Sequence, residues 1–150
     1  MSAVRKKILG VSPSRSESLD LADLASFEMT SEEPDHPLEL VLDAGSGDWR
    51  AATDGPQTIR VIFNDPQKVS RITLVFNEAK LARTQEFALF TRRTSDEEWR
   101  QLVRQQFNFS PPETTREQED YTLDMPDVTG IELQISPGAG RASLSRFVVS

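Results

Sequence analysis

The sequence predicts an all-β domain, an antiparallel sandwich or jelly roll, and three observations point there. First, apolar and polar residues alternate in period two. Ile59, Val61 and Phe63 share one face against Thr58 and Arg60, and Ile72, Leu74 and Phe76 share one against Arg71 and Thr73. Alternation bounded by Asn, Asp, Gly and Pro marks half-buried strands. Second, such segments recur at spacings of roughly 8–15 residues, giving about seven or eight strands. Third, no stretch carries the 3.6-residue periodicity of a long helix.

The elements follow in order. Residues 1–15 read as a flexible basic leader, with a candidate short strand at Ile8-Leu9-Gly10-Val11, ahead of a single domain over 16–150. Leu19, Leu21, Leu24 and Phe27 sit at mixed spacing among acids, which fits either a short helix or an extended docking segment. Thr30 to Asp48 is loop-like, and within it the six residues Leu38–Asp43 read locally as a strand or one helical turn. Ala44-Gly45-Ser46-Gly47 then breaks the chain. Gln57–Phe63 and Ile72–Phe76 read as two strands separated at Asn64-Asp65-Pro66. Asn77–Thr84 is a polar loop, Gln85–Thr91 a strand, and Arg92–Glu98 a charged turn. Trp99–Phe109 alternates again, placing Trp99, Val103, Phe107 and Phe109 on one face until Ser110-Pro111-Pro112 stops it. Tyr121–Met125 reads as a short strand or edge segment before Pro126. Gly130–Ile135 and Leu144–Val149 complete the set around the Pro137-Gly138-Ala139-Gly140 turn.

Composition narrows the chemistry. The 150 residues are 37% hydrophobic and 27% charged, as in a globular protein. No apolar run approaches the roughly 20 residues of a membrane span, and the basic start lacks the apolar region of a secretory signal, so the default location is cytoplasmic. With no cysteine, disulfides, thiolate metal sites and a cysteine nucleophile are excluded. A single histidine, His36, excludes multi-histidine metal sites. The net charge of −7 is uneven: residues 16–54 hold eleven acids against Arg50 alone. Nucleic-acid binding wants clustered basic surface, so an acidic domain argues against that partner.

The order of several short motifs resembles the discoidin family, also called coagulation-factor type C domains. They are Thr30-Ser31-Glu32-Glu33, His36-Pro37, Leu42-Asp43 and Trp49-Arg50-Ala51. Later segments are similar to that family's successive strands, so the resemblance covers roughly residues 20–150. It implies a galactose-binding-like β-sandwich jelly roll, a non-catalytic recognition module, and a short helical turn or irregular segment, not a strand, at Leu38–Val41. In calcium-binding members an acid in the Leu-Asp-Gly turn and a glutamate near the last strand hold the ion. Asp43 matches the first, but Arg146 stands where the second is expected, so no cofactor is expected and calcium is disfavoured. Arg146 pairing with Asp43 or its loop is the expectation instead. Family members bind through loops at one rim. Here these are 33–37, 77–83 and 107–113, which offer His36, Lys80, Leu81, Arg83, Phe107, Asn108 and Phe109 as candidate ligand contacts. A carbohydrate or a protein is the expected partner.

Other side chains have plainer readings. Trp49 and Trp99 both read as core, while Phe107 and Phe109 are balanced between core and exposed rim. His36 has no nucleophile nearby in sequence to serve as a general base. The acidic runs Glu32-Glu33, Asp96-Glu97-Glu98 and Glu119-Asp120 read as solvated turns rather than glycosidase carboxylates. Arg60, Arg71, Arg100 and Arg104 fall on outward positions. They pair with acids of neighbouring strands or line a groove for an anionic ligand, the former being expected.

Overall fold

A computed structural model describes residues 18–42 and 47–150. The expected leader and the 8–11 strand lie outside the described residues. The segment after Ser18 resolves the first open choice by using both answers. Leu21–Leu24 forms one helical turn (α1), N-capped by the Asp20 carboxylate, which accepts from Asp23 N. The chain then extends into β1, Ala25–Met29. Leu38–Val41 is a 3-10 helix, the helical one of the two forms the resemblance implied, and it buries Leu38 and Val41.

Seven further strands follow: β2 Trp49–Asp54, β3 Gln57–Asn77, β4 Arg83–Arg93, β5 Arg100–Phe109, β6 Arg116–Ser136, β7 Arg141–Leu144 and β8 Arg146–Val149. All pairings are antiparallel. The larger sheet runs β1-β3-β6-β4-β5 with β8 also on β3, and β2 pairs with β7.

Two strands expected at 57–63 and 72–76 are halves of one, and Tyr121–Met125 is likewise part of the 21-residue β6. The Asn64-Asp65-Pro66 stretch disturbs the ladder without ending the strand. Between Ile62 and Gln67 five residues of β3 advance against only two of β6, from Gly130 to Val128. Such bulges bend and twist a strand pair. The first half of β3 therefore pairs with β1 and the end of β6, whereas its second half pairs with β8 and the start of β6. The folded-over halves face each other across an aromatic row. Phe76 of β3 lies 5.3 Å from Phe87 of β4, which lies 6.4 Å from Tyr121 of β6.

Folding β3 and β6 over in this way returns both ends of each strand to one end of the sandwich. The loops 31–37, 54–56, 77–83, 110–115 and 136–141 gather there. At the opposite end, Thr94 N donates to Asp127 O at 2.9 Å and fastens the β4–β5 turn to the bend of β6.

The core fills the space between the layers with Ile59, Val61, Leu74, Phe76, Phe87, Leu89, Ile131, Leu133 and Phe147 among others. Trp49 is fully buried there, as expected. Trp99 is not. Leu89 pairs with Val103 but Phe90 pairs with Gln101, so Leu102 is an extra residue in β5. That bulge reverses the alternation, and Trp99 sits half-buried on the outer face. There it covers Gly130, where an added Cβ would stand 2.6 Å from the indole. Arg60 and Arg92 flank the ring, each 5.9 Å from its centroid.

Candidate functional site

The rim is assembled by a few polar residues that fix the loops. Ser31 Oγ donates to Gln57 Oε1 at 2.7 Å and accepts from Ala52 N. Glu32 Oε1 accepts from Leu38 N at 2.7 Å, satisfying a free donor of the 3-10 helix. Glu33 pairs with Arg141 at 2.9 Å. The motif that suggested the fold is thus a set of loop anchors. His36 belongs with them: it is half-buried, with Nδ1 3.2 Å from Asp48 O.

Arg83 is the central brace of this end. Its Nη1 donates to Ala139 O at 2.7 Å and to Arg141 O at 2.9 Å, and Nη2 lies 3.1 Å from Glu78 Oε1. The side chain is 2% exposed. Burial lowers its affinity for the proton, partly offset by the Glu78 charge. Glu78 also accepts from Lys80 N and Leu81 N through Oε2. One carboxylate thereby shapes the whole 78–83 turn and projects Lys80 and Leu81 outward.

The sequence-derived contact residues consequently divide. Lys80, Leu81 and Asn108 are exposed, with Leu81 at 39% the one exposed large hydrophobic residue among those described. Asn108 Oδ1 accepts from Thr84 Oγ1 at 2.7 Å. Phe107 is half-buried and meets Phe109 edge-on at 4.9 Å. Phe109 is 2% exposed and belongs to the core, and Arg83 is structural. Neither offers free side-chain surface to a ligand. Both point inward because β5 pairs Phe109 with Arg83 and Phe107 with Gln85, all on the inner face.

Two further turns at this rim lie outside the loops that the sequence offered for binding. Asp54-Gly55-Pro56 and Ser136 to Gly140 enclose a hollow of about 430 Å³, walled by Pro56, Pro137, Ala139 and glycine backbone, with Asp54 at its lip. Gly55 N donates to Gly140 O at 3.3 Å across it. Gly138 takes φ +83°, and an added Cβ would lie 2.2 Å from Thr84 O, so only glycine fits. Leu81 leans against the same turn, its Cδ2 3.2 Å from where a Cβ on Gly140 would be. The usable signal was turn chemistry, which reads as punctuation until the fold places two such turns together.

The acidic runs also have occupations. Asp96 pairs with Arg100 at 2.8 Å and accepts from Arg93 N, interactions that hold its carboxyl below the usual range. Asp120 faces outward to Arg71 and Thr73, while Glu119 faces the other way beside Glu117. Arg60, Arg71 and Arg104 each pair with an acid of a neighbouring strand, as expected, whereas Arg100 pairs with Asp96 in the turn that precedes its own strand. Asp43, the calcium candidate, lies outside the described residues, and so does its anticipated pairing with Arg146. Arg146 itself is exposed on the outer face of the sheet, in register with Val75. Among the described residues no cluster of three or more His, Cys, Asp or Glu is arranged to hold a metal ion. No described helix is long and apolar enough to cross a membrane.

No family model matches the chain. No curated protein matches it either. Solved structures do. The family 32 carbohydrate-binding module (CBM) from C. perfringens NanJ, in complex with galactose, aligns over 88% of this chain and 96% of its own, with 18% identity and a TM-score of 0.66. CpGH89CBM32-5 from Clostridium perfringens, in complex with GalNAc-β-1,3-galactose, aligns over 89% and 99%, at 15% identity and 0.61. The CBM32 of AlyQ, in complex with 4,5-unsaturated mannuronic acid, aligns over 85% and 95%, at 15% and 0.58. The chain therefore has the galactose-binding-like β-sandwich fold of these modules, the fold that discoidin domains share.

Proposed function

We propose that this domain is a non-catalytic carbohydrate-recognition module that binds a neutral sugar at the rim. The observation that carries this reading is the hollow between the 54–56 and 136–140 turns. Its volume suits a mono- or disaccharide. Its proline and glycine walls present apolar C–H surface to a pyranose face. Asp54, 79% exposed by side chain and 3.8 Å from Arg141 Nε, places a carboxylate acceptor where ring hydroxyls would reach it. Lys80, Leu81 and Asn108 stand on neighbouring loops as additional contacts. The shared fold with galactose-bound modules supports the same class of ligand.

A protein partner at the same loops is the second reading. Leu81 favours it as an exposed apolar side chain, but it stands alone, whereas protein interfaces centre on clustered apolar anchors. A glycan array of galactose- and N-acetylgalactosamine-terminated sugars tests the primary reading. Binding by the wild type that falls at least tenfold in Asp54→Ala supports it. A folded protein that binds no sugar, yet retains a copurifying protein lost in Leu81→Ala, replaces it with the second reading.

A further inference from the structure

The outer face of the β8-β3-β6 layer carries a second candidate site, remote in character from the rim. Register places Arg146, Val75 and Gln118 in one row, and Val148, Thr73 and Asp120 in the next. Arg116 stands beyond one end opposite Asn77, and Arg71 beyond the other opposite Thr122. All point outward, away from Leu74 and Phe76, which fill the core. Together they line a groove of about 410 Å³. Its floor of valine and threonine is low and its arginine walls are long, so the groove is an open trough.

Its charge is at odds with the rest of the molecule. The chain carries −7 overall, but the side chains of this face gather three arginines around one carboxylate, Asp120, with Ser150 at the groove's edge. That carboxylate, Asp120, is already engaged: Oδ1 accepts from Thr73 Oγ1 at 2.6 Å and from Arg71 Nη2 at 2.9 Å. These bonds, the threonine's foremost, hold its carboxyl below the usual range, so it stays ionised and orients Arg71. Arg116 is oriented similarly by Gln118 Oε1 at 3.0 Å. Guanidinium groups so displayed match carboxylate or sulfate oxygens in a planar fork.

Spacing narrows the ligand. Arg146 is level with Val75, four residues from Arg71 along β3, so their backbone positions stand roughly 14 Å apart at strand rise. An extended chain with a repeated negative charge matches a row of cations so spread better than a single small anion does. The groove has no aromatic side chain on which bases could stack, and Asp120 penalises a densely phosphorylated backbone. Its hydroxyl, amide and carboxylate groups instead suit alternating hydroxyls and carboxylates. We infer that this face binds a linear acidic polysaccharide, a polyuronate, independently of whether the rim binds a neutral sugar.

Affinity electrophoresis and calorimetry with polygalacturonate provide the test, with neutral galactan and single-stranded DNA as comparison polymers. Polygalacturonate should bind, with affinity falling steeply as salt rises. It should weaken at least tenfold in Arg116→Gln/Arg146→Gln, whose circular dichroism is unchanged, and persist in Asp54→Ala. A wild type that ignores polygalacturonate overturns the inference, as does a double variant that binds it normally. Tighter binding to single-stranded DNA than to polygalacturonate would make the groove a nucleic-acid surface instead. Loss of galactose binding in Asp54→Ala with polyuronate binding intact separates the rim from the groove.

Discussion

Arg83 and Glu78 form an ion pair that the folded rim almost completely encloses, at 3.1 Å with side chains 2% and 17% exposed. The arginine also satisfies two carbonyls of the 139–141 turn, so a single side chain joins two rim loops. Removing one partner of a buried pair leaves the other uncompensated, at a typical cost of about 3–5 kcal/mol. Arg83→Met should therefore lower stability by about that amount in denaturant titration. Glu78→Gln, which keeps hydrogen-bonding capacity at a more solvated position, should cost less. Equal, small effects from both would contradict the bracing role.

Glu117 sets a pH dependence of opposite sense to ordinary acid denaturation. Its carboxyl is 1% exposed, with Oε1 3.5 Å from Gln85 Nε2. Burial, followed by hydrogen bonding and repulsion from Glu119, raises its pKa from 4.5 to about 8. The unfolded chain releases this proton near the ordinary value and the folded protein keeps it until about pH 8. Over that interval the native state holds more protons, so stability falls as pH rises. The difference in melting temperature between Glu117→Gln and wild type should grow from pH 5 to pH 8.5, in favour of the variant. A difference independent of pH would show that the carboxyl is already ionised in the fold.

The two tryptophans should be spectroscopically distinct. Trp49 is fully buried, with an Nε1 that finds no acceptor among the described residues, whereas Trp99 lies half-exposed on Gly130 between Arg60 and Arg92. Acrylamide should quench the emission of Trp49→Phe, which leaves Trp99, several-fold more than that of Trp99→Phe. Gly130→Ala should displace the indole and shift Trp99 emission to longer wavelength. Equal quenching of the two single-tryptophan proteins would place Trp99 back in the core.

The layered fold was legible because alternation and turn residues are local signals. The continuity of β3 and β6 was not. Asn64-Asp65-Pro66 looks like a strand end in one dimension, and only the partner strand shows that the chain stays extended while the ladder slips. Trp99 was misplaced for a related reason: one bulged residue, Leu102, reverses a parity that sequence counting assumes constant. At the rim, the loops were identifiable but the roles of their residues were not. Arg83 and Lys80 look alike in sequence, and only three acceptors converging on one guanidinium separate a brace from an exposed cation. The hollow escaped notice because it is built from glycine, proline and alanine, whose contribution is shape.

Binding of a neutral sugar in the rim hollow is decided by isothermal titration of the wild type and Asp54→Ala with galactose. The wild type should bind saturably and the variant at least tenfold more weakly, with polygalacturonate binding unaffected. Equal galactose affinity in the two proteins would rule out the hollow as the sugar site.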